Sequence, residues 1–301
     1  MKKRPPTLKH GDAVGIIAPA RRITMPEIEY ACKIYEGWGL RVVFGAHLFG
    51  INNQFSGTDA ERAADFQSML DNDDIKAICC ARGGYGSVRI IDRIDFTNFI
   101  NKPKWLIGYS DITVFHAHIH NVFGIETLHA TMPVNLTAGA YTAETLQSQH
   151  DVIFGSPLNY VVNAHPFNRN GEAEGILVGG NLSVLYSLMG SPSDMDTTGK
   201  ILFIEDLDEY LYHIDRMMLC LKRAGKLSNL KGLIIGGMNK MNDNLVPYGK
   251  TAYDIIKDSV KEYSYPVCFD FPAGHTNDNR ALILGRNIRM RSGDKEVRVE
   301  F

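Results

Sequence analysis

Short apolar runs that alternate with segments of helical period constrain this chain more than any other feature. Ala13 to Ala20, Arg41 to Leu48, Ile75 to Ala81 and Lys104 to Tyr109 read as buried strands. Between the first two stands Thr24-Met25-Pro26-Glu27, a capping box with proline in the first helical turn. Ile28, Ala31, Cys32 and Tyr35 then share one apolar face, and Gly37 and Gly39 flank the helix end. A second capping box, Thr58 to Glu61, opens a helix with Ala63, Phe66 and Leu70 on its apolar side. Buried strands alternating with helices require crossovers on both faces of a parallel sheet. The expected fold class is therefore α/β, with a Rossmann-like N-terminal domain over 1–150.

The pattern breaks around Ser156 to Gly175, where Pro157, Pro166, Asn168, Asn170 and Gly171 cluster, and a linker is expected over 151–174. A smaller mixed α/β domain is expected over 175–301. Lys200 to Ile204 and Leu230 to Gly237 read as strands, and Ile214, Met217, Met218 and Leu221 mark a helix closing near Gly225. Ala252, Ile255, Ile256 and Val260 mark another helix. Tyr265 to Phe271, Ala281 to Met290 and Glu296 to Phe301 read as later strands, the last two as an antiparallel pair.

Charge narrows the function classes. Lys plus Arg number 32 against 34 for Asp plus Glu, a balance with no footprint for nucleic acid or an anionic membrane, so a small substrate is expected. No apolar segment reaches the roughly 18 residues of a membrane span. The five cysteines are an odd number without a C-x-x-C pair, which fits a reducing, cytoplasmic setting. Lys2, Lys3 and Arg4 ahead of Ala18-Pro19-Ala20 imitate a signal peptide, but the apolar run is short and Asp12 stands directly before it.

Chemistry-bearing residues fall at strand ends. Gly108-Tyr109-Ser110-Asp111 follows a strand and precedes a helical segment, the setting of a nucleophile elbow, although Ile112 replaces the last glycine of G-x-S-x-G. Taken alone, the same Ser-Asp pair is more often a helix cap than a nucleophile. Arg82-Gly83-Gly84-Tyr85-Gly86 ends the preceding strand, where its glycines could bring backbone amides up to a ligand. A phosphate loop fails there, because Arg89 occupies the last position of the dinucleotide fingerprint. Glu205-Asp206 and Gly274-His275 each follow a strand, a carboxylate that could orient an imidazole and an imidazole that could serve as a base. Each is by itself also an ordinary loop residue. His116, His118 and His120 lack a matching set of ligands, so no metal is expected, and Gly249-Lys250-Thr251 fails as a Walker A loop because Asn244 takes its first glycine position.

In order and spacing these segments resemble the LD-carboxypeptidase family of serine peptidases, which includes the microcin C immunity proteins. The resemblance runs through Gly15-Ile16-Ile17-Ala18-Pro19-Ala20, Ala81 to Gly86, Gly108 to Thr113, Gly179-Gly180-Asn181-Leu182, Glu205-Asp206 with Tyr212, Asp215 and Arg216, and Gly274-His275. It implies a Ser110–Glu205–His275 triad and an oxyanion hole placed at the amides of Gly84 and Asp111, with no cofactor. It also implies a murein tetrapeptide as substrate, cut before its terminal D-alanine, and a homodimer. Arg82, Gly83 and Asn181 are the candidate substrate contacts; Arg82 could instead serve a structural salt bridge. One departure is Leu128-His129-Ala130, which stands where the family commonly has a His-Gly pair. The rival readings are hydrolysis of a peptidyl or aminoacyl nucleotide, a nucleotide-binding oxidoreductase built on the Arg82 to Gly86 loop, and a non-catalytic small-ligand binding protein.

Overall fold

The computed structural model describes residues 4–301. Lys2 and Lys3 of the signal-like segment lie outside the described residues. The first half runs β1 (Ala13–Ile17), α1 (Met25–Gly37), β2 (Arg41–Phe44), α2 (Asp59–Asp71), β3 (Ile75–Cys80), α3 (Thr97–Asn101), β4 (Trp105–Gly108), α4 (Thr113–His118), β5 (Thr127–His129) and α5 (Ala143–Phe154). Both capping boxes close as their sequences require. Glu27 accepts the Thr24 amide at 2.8 Å, and Glu61 accepts the Thr58 amide at 2.7 Å.

The second half runs β6 (Asn159–Asn163), β7 (Gly171–Asn181), α6 (Leu182–Ser187), β8 (Ile201–Leu207), α7 (Leu211–Arg223), β9 (Gly232–Asn239), α8 (Ala252–Ser259), β10 (Val267–Cys268), β11 (Leu282–Leu284), β12 (Asn287–Ser292) and β13 (Glu296–Glu300). The first sheet has the order β11-β5-β4-β3-β1-β2, parallel throughout except for β11, and every residue of β1 and β4 is buried. The second sheet, β10-β9-β8-β7-β12-β13-β6, is parallel from β10 to β7 and antiparallel from β7 to β6. The α/β class, with helices and strands mixed in both halves, is as expected.

Two expectations need correction. The stretch 151–174 is no free linker, since it holds the end of α5, all of β6 and the start of β7. Pro157, Pro166, Asn168 and Asn170 fall outside the helix and strands, while β6, from Asn159 to Asn163, pairs in full with β13. The run Ala281 to Met290 is two strands rather than one. It breaks at Gly285, where φ is +90°, and the two pieces join different sheets: β11 pairs with β5, and β12 with β7 and β13. The expected pairing of the last two strands holds between β12 and β13.

Candidate active site

Parallel strands direct their carboxyl ends to one edge of a sheet, and in open α/β sheets that edge is where ligands bind. The β3 and β4 ends of the first sheet meet the β7 and β8 ends of the second across a cleft of about 440 Å³. Ser110 stands one turn beyond β4 with φ +63°, a left-handed setting rare for a residue bearing Cβ. A cap was the competing reading of Ser110; here the side chain caps nothing and lies in the cleft.

Ser110 Oγ lies 3.2 Å from His275 Nε2, and His275 Nδ1 lies 2.7 Å from Glu205 Oε2. With Nδ1–H donating to the carboxylate, the Nε2 lone pair faces the serine hydroxyl. Three side chains that are 165 and 70 positions apart along the sequence thus touch in series. Glu205 is fully buried, and its Oε1 has no hydrogen-bond partner. Its Oε2 also accepts the His275 backbone amide at 3.2 Å. A buried carboxylate served in this way favours a cation beside it. Burial pulls the His275 pKa down, but the charge and hydrogen bond of Glu205, helped by Asp206, outweigh it and leave His275 raised above 6.5.

The loop after β3 is packed against this turn. A Cβ on Gly83 would stand 3.2 Å from Ser110 Cβ and 3.4 Å from the Asp111 nitrogen, so any larger residue would press on the serine turn. Gly84, at φ +102°, lines the cleft with Ser110 and Asp111. The buried Asp111 carboxylate accepts the Ser87 amide at 2.9 Å and thereby fastens the glycine loop to the serine turn. This tie was not foreseen, because the sequence reading used only the Asp111 backbone.

The remaining candidates divide. Arg82 lines the cleft but bonds Glu27 at 3.1 Å, the structural salt bridge that was its alternative role. Asn181 also lines the cleft, but its amide is engaged. It donates to Asp206 at 2.9 Å and accepts from Val184 N at 3.1 Å as the cap of α6. Asp206 is buried and pushed up to about 7 by that burial and by the charge of Glu205. Tyr212 and Arg216 stack on each other along α7. His116 Nε2–H donates to the Gly108 carbonyl at 2.9 Å, and His118 pairs with Ser193 at 2.9 Å, so these two face different partners. Sequence reasoning missed Arg21 and Lys240, which line the cleft, and Asn239, whose side chain donates to the His275 carbonyl at 2.6 Å. The signal available for Lys240 was its position just past an apolar strand.

Residues 14–130 match the LD-carboxypeptidase N-terminal domain and residues 174–290 its C-terminal domain. A relative from Bacillus subtilis, "Probable murein peptide carboxypeptidase", is 35% identical over 304 residues, covering 99% of this chain and 94% of its own. The chain belongs to the LD-carboxypeptidase family. Among solved structures, this family member resembles the muramoyltetrapeptide carboxypeptidase from Oxalobacter formigenes, with TM-score 0.88 and 26% identity, covering 96% of this chain and 98% of that one. It also resembles the microcin C7 self immunity protein MccF, with TM-score 0.86 and 22% identity over 98% and 97% of the two chains. At that identity the second likeness is one of fold.

Proposed function

We propose that this LD-carboxypeptidase family member is a serine carboxypeptidase that removes the terminal D-alanine of murein tetrapeptides. The observation that carries the reading is the serial contact of Ser110, His275 and Glu205 at a shared cleft. His275 Nε2 takes the proton of Ser110 as its oxygen attacks the amide carbon, and Glu205 steadies the imidazolium that forms. The amides of Gly84 and Asp111 receive the developing oxyanion, each donor worth roughly 3 kcal/mol in the transition state. His275 then gives its proton to the departing nitrogen, the C–N bond breaks, and D-alanine leaves. Water attacks the acyl-Ser110 ester with His275 again as base, releasing the tripeptide and restoring the serine.

The substrate rests on the B. subtilis and O. formigenes relatives, whose names speak of murein peptide and muramoyltetrapeptide. The MccF likeness supports only the frame, so aminoacyl nucleotides are the comparison substrate in the test rather than a second proposal. A reducing, cytoplasmic setting belongs to the same reading. It is supported by five free cysteines, of which Cys32, Cys79, Cys80 and Cys268 are buried. Among the described residues, no helix is long and apolar enough to cross a membrane.

Mass-spectrometric product analysis of a synthetic murein tetrapeptide tests the proposal. Loss of D-alanine by the wild type, and its absence with Ser110→Ala at an unchanged melting temperature, is the expected pair of results. Near-normal turnover by Ser110→Ala, or turnover confined to an aminoacyl-sulfamoyl adenosine, would overturn it.

A further inference from the structure

The cleft is unevenly charged about its centre. On the Gly84 side it is lined by Arg21 and Arg82 together with Asp111, Asp206, Asp208 and Glu209. A second lobe of about 350 Å³ opens on the far side of His275, lined among others by Thr131, Asn135, Lys240, Thr276 and Asn277. No carboxylate lines that lobe, and Lys240 is its one lysine or arginine. Tyr109, Asn135, Leu207 and His275 border both lobes, so the two are continuous at the imidazole.

Lys240 is placed with care. It follows β9 in a left-handed setting, φ +52°, directly after Asn239. Asn239 is held from two sides: its side chain donates to the His275 carbonyl at 2.6 Å, and its own carbonyl accepts the Asp208 amide at 3.0 Å. Lys240 is thereby tied through one residue to the loop that carries the imidazole. Its ammonium has no ion pair among the described residues, whereas Arg82 in the first lobe is held by Glu27, and Arg21, also without one, lies on the acid-lined Gly84 side. The Lys240 charge reaches His275, which it opposes.

Chemistry gives the empty lobe an occupant. A base that protonates the departing nitrogen must face that nitrogen, so the leaving amino acid lies on the His275 side, away from the oxyanion amides. The leaving amino acid of a carboxypeptidase carries a carboxylate on the carbon next to that nitrogen. We propose that the Lys240 ammonium receives this C-terminal carboxylate, making Lys240 the residue that restricts the enzyme to the end of a peptide. The inference rests on the proposed function and deepens it. It also has an electrostatic corollary: once the carboxylate neutralises Lys240, the imidazole loses an opposing charge, so the acid limb of kcat lies at higher pH than that of kcat/KM.

The test crosses an enzyme change with a substrate change. Wild type, Lys240→Gln and Lys240→Arg are each assayed on the tetrapeptide and on its C-terminal carboxamide. A charge-assisted contact predicts that the wild type favours the acid on the order of tenfold to a hundredfold in kcat/KM. Lys240→Gln should lose that preference through KM and bring the kcat and kcat/KM limbs together, while Lys240→Arg restores most of both. A wild type that cleaves acid and amide equally, or a Lys240→Gln enzyme that keeps the wild-type preference, would overturn the assignment while leaving the carboxypeptidase reading intact. A wild type that releases no D-alanine from the acid removes both.

Discussion

Ser110 and His275 each depend on a neighbour that holds an otherwise unfavourable state. The left-handed backbone of Ser110 is a setting that costs about 1–3 kcal/mol and persists where packing over-determines it, here under the close-packed Gly83. Gly83→Ala should therefore push the serine turn by a few tenths of an ångström and lower kcat several-fold, short of the roughly hundredfold that a 1 Å misplacement costs, while the circular-dichroism spectrum stays native. The raised pKa of His275 fixes the sign of the pH profile. In the proposed mechanism the neutral imidazole is the base, so kcat/KM should climb as pH rises through a value above 6.5 and level off beyond it. Glu205→Gln removes the charge that raises His275. The limb should move to lower pH, and the plateau should fall by orders of magnitude as the imidazolium loses its support. A pH series of kcat/KM for the two enzymes checks both; a limb that stays in place would contradict the role given to Glu205.

At the scale of elements, the two loops that carry the chemistry are fastened by single side chains. Asn279 accepts the Gly274 amide at 2.8 Å, donates to Thr131 Oγ1 at 3.1 Å, and its own amide donates to Thr145 Oγ1 at 2.9 Å. The first two bonds vanish in Asn279→Ala, leaving the buried Gly274 amide unsatisfied at about 1–3 kcal/mol, while Thr131 keeps only its long bond to the Asn279 carbonyl. That variant should melt several degrees lower and lose activity more than affinity for product, measurable by calorimetry alongside steady-state kinetics. Strand-end loops of this kind were legible in the sequence because strand and helix periods are local, and so were the capping boxes of α1 and α2. The asparagine of the His275 loop was visible as a residue but not as a fastener, because its partners Thr131 and Thr145 come from the other half of the chain. The interior of 151–174 was illegible for a related reason. Tyr160 and Val162 alternate with Asn159, Val161 and Asn163 too briefly to announce a strand, and β6 is defined by pairing with β13 more than a hundred residues later.

Across the whole molecule, the late strand β11 completes the early sheet. It pairs with β5 from Leu282↔His129 to Leu284↔Thr127, and just beyond it Arg286 bonds Glu126 at 2.6 Å. Tyr160 OH donates to the Ala281 carbonyl at 2.6 Å, tying the same segment to β6. Nothing in composition or period announces which sheet a three-residue strand will join, so this exchange lay beyond the sequence reading. Residues 1–150 produced alone should leave the β5 edge unpaired and the cleft face uncovered, and should be largely insoluble. Co-production with 151–301 should recover soluble, active protein, as read by sedimentation and D-alanine release; a soluble monomeric 1–150 fragment would contradict this. The placement of β11 has a temporal corollary. A ribosome releases Ser110, the proposed nucleophile, long before it has polymerised His275, its proposed base, and the strand sealing the first sheet comes later still. A product that stops short of His275 therefore carries the proposed nucleophile without its proposed base, and one that stops short of β11 leaves the first sheet unsealed.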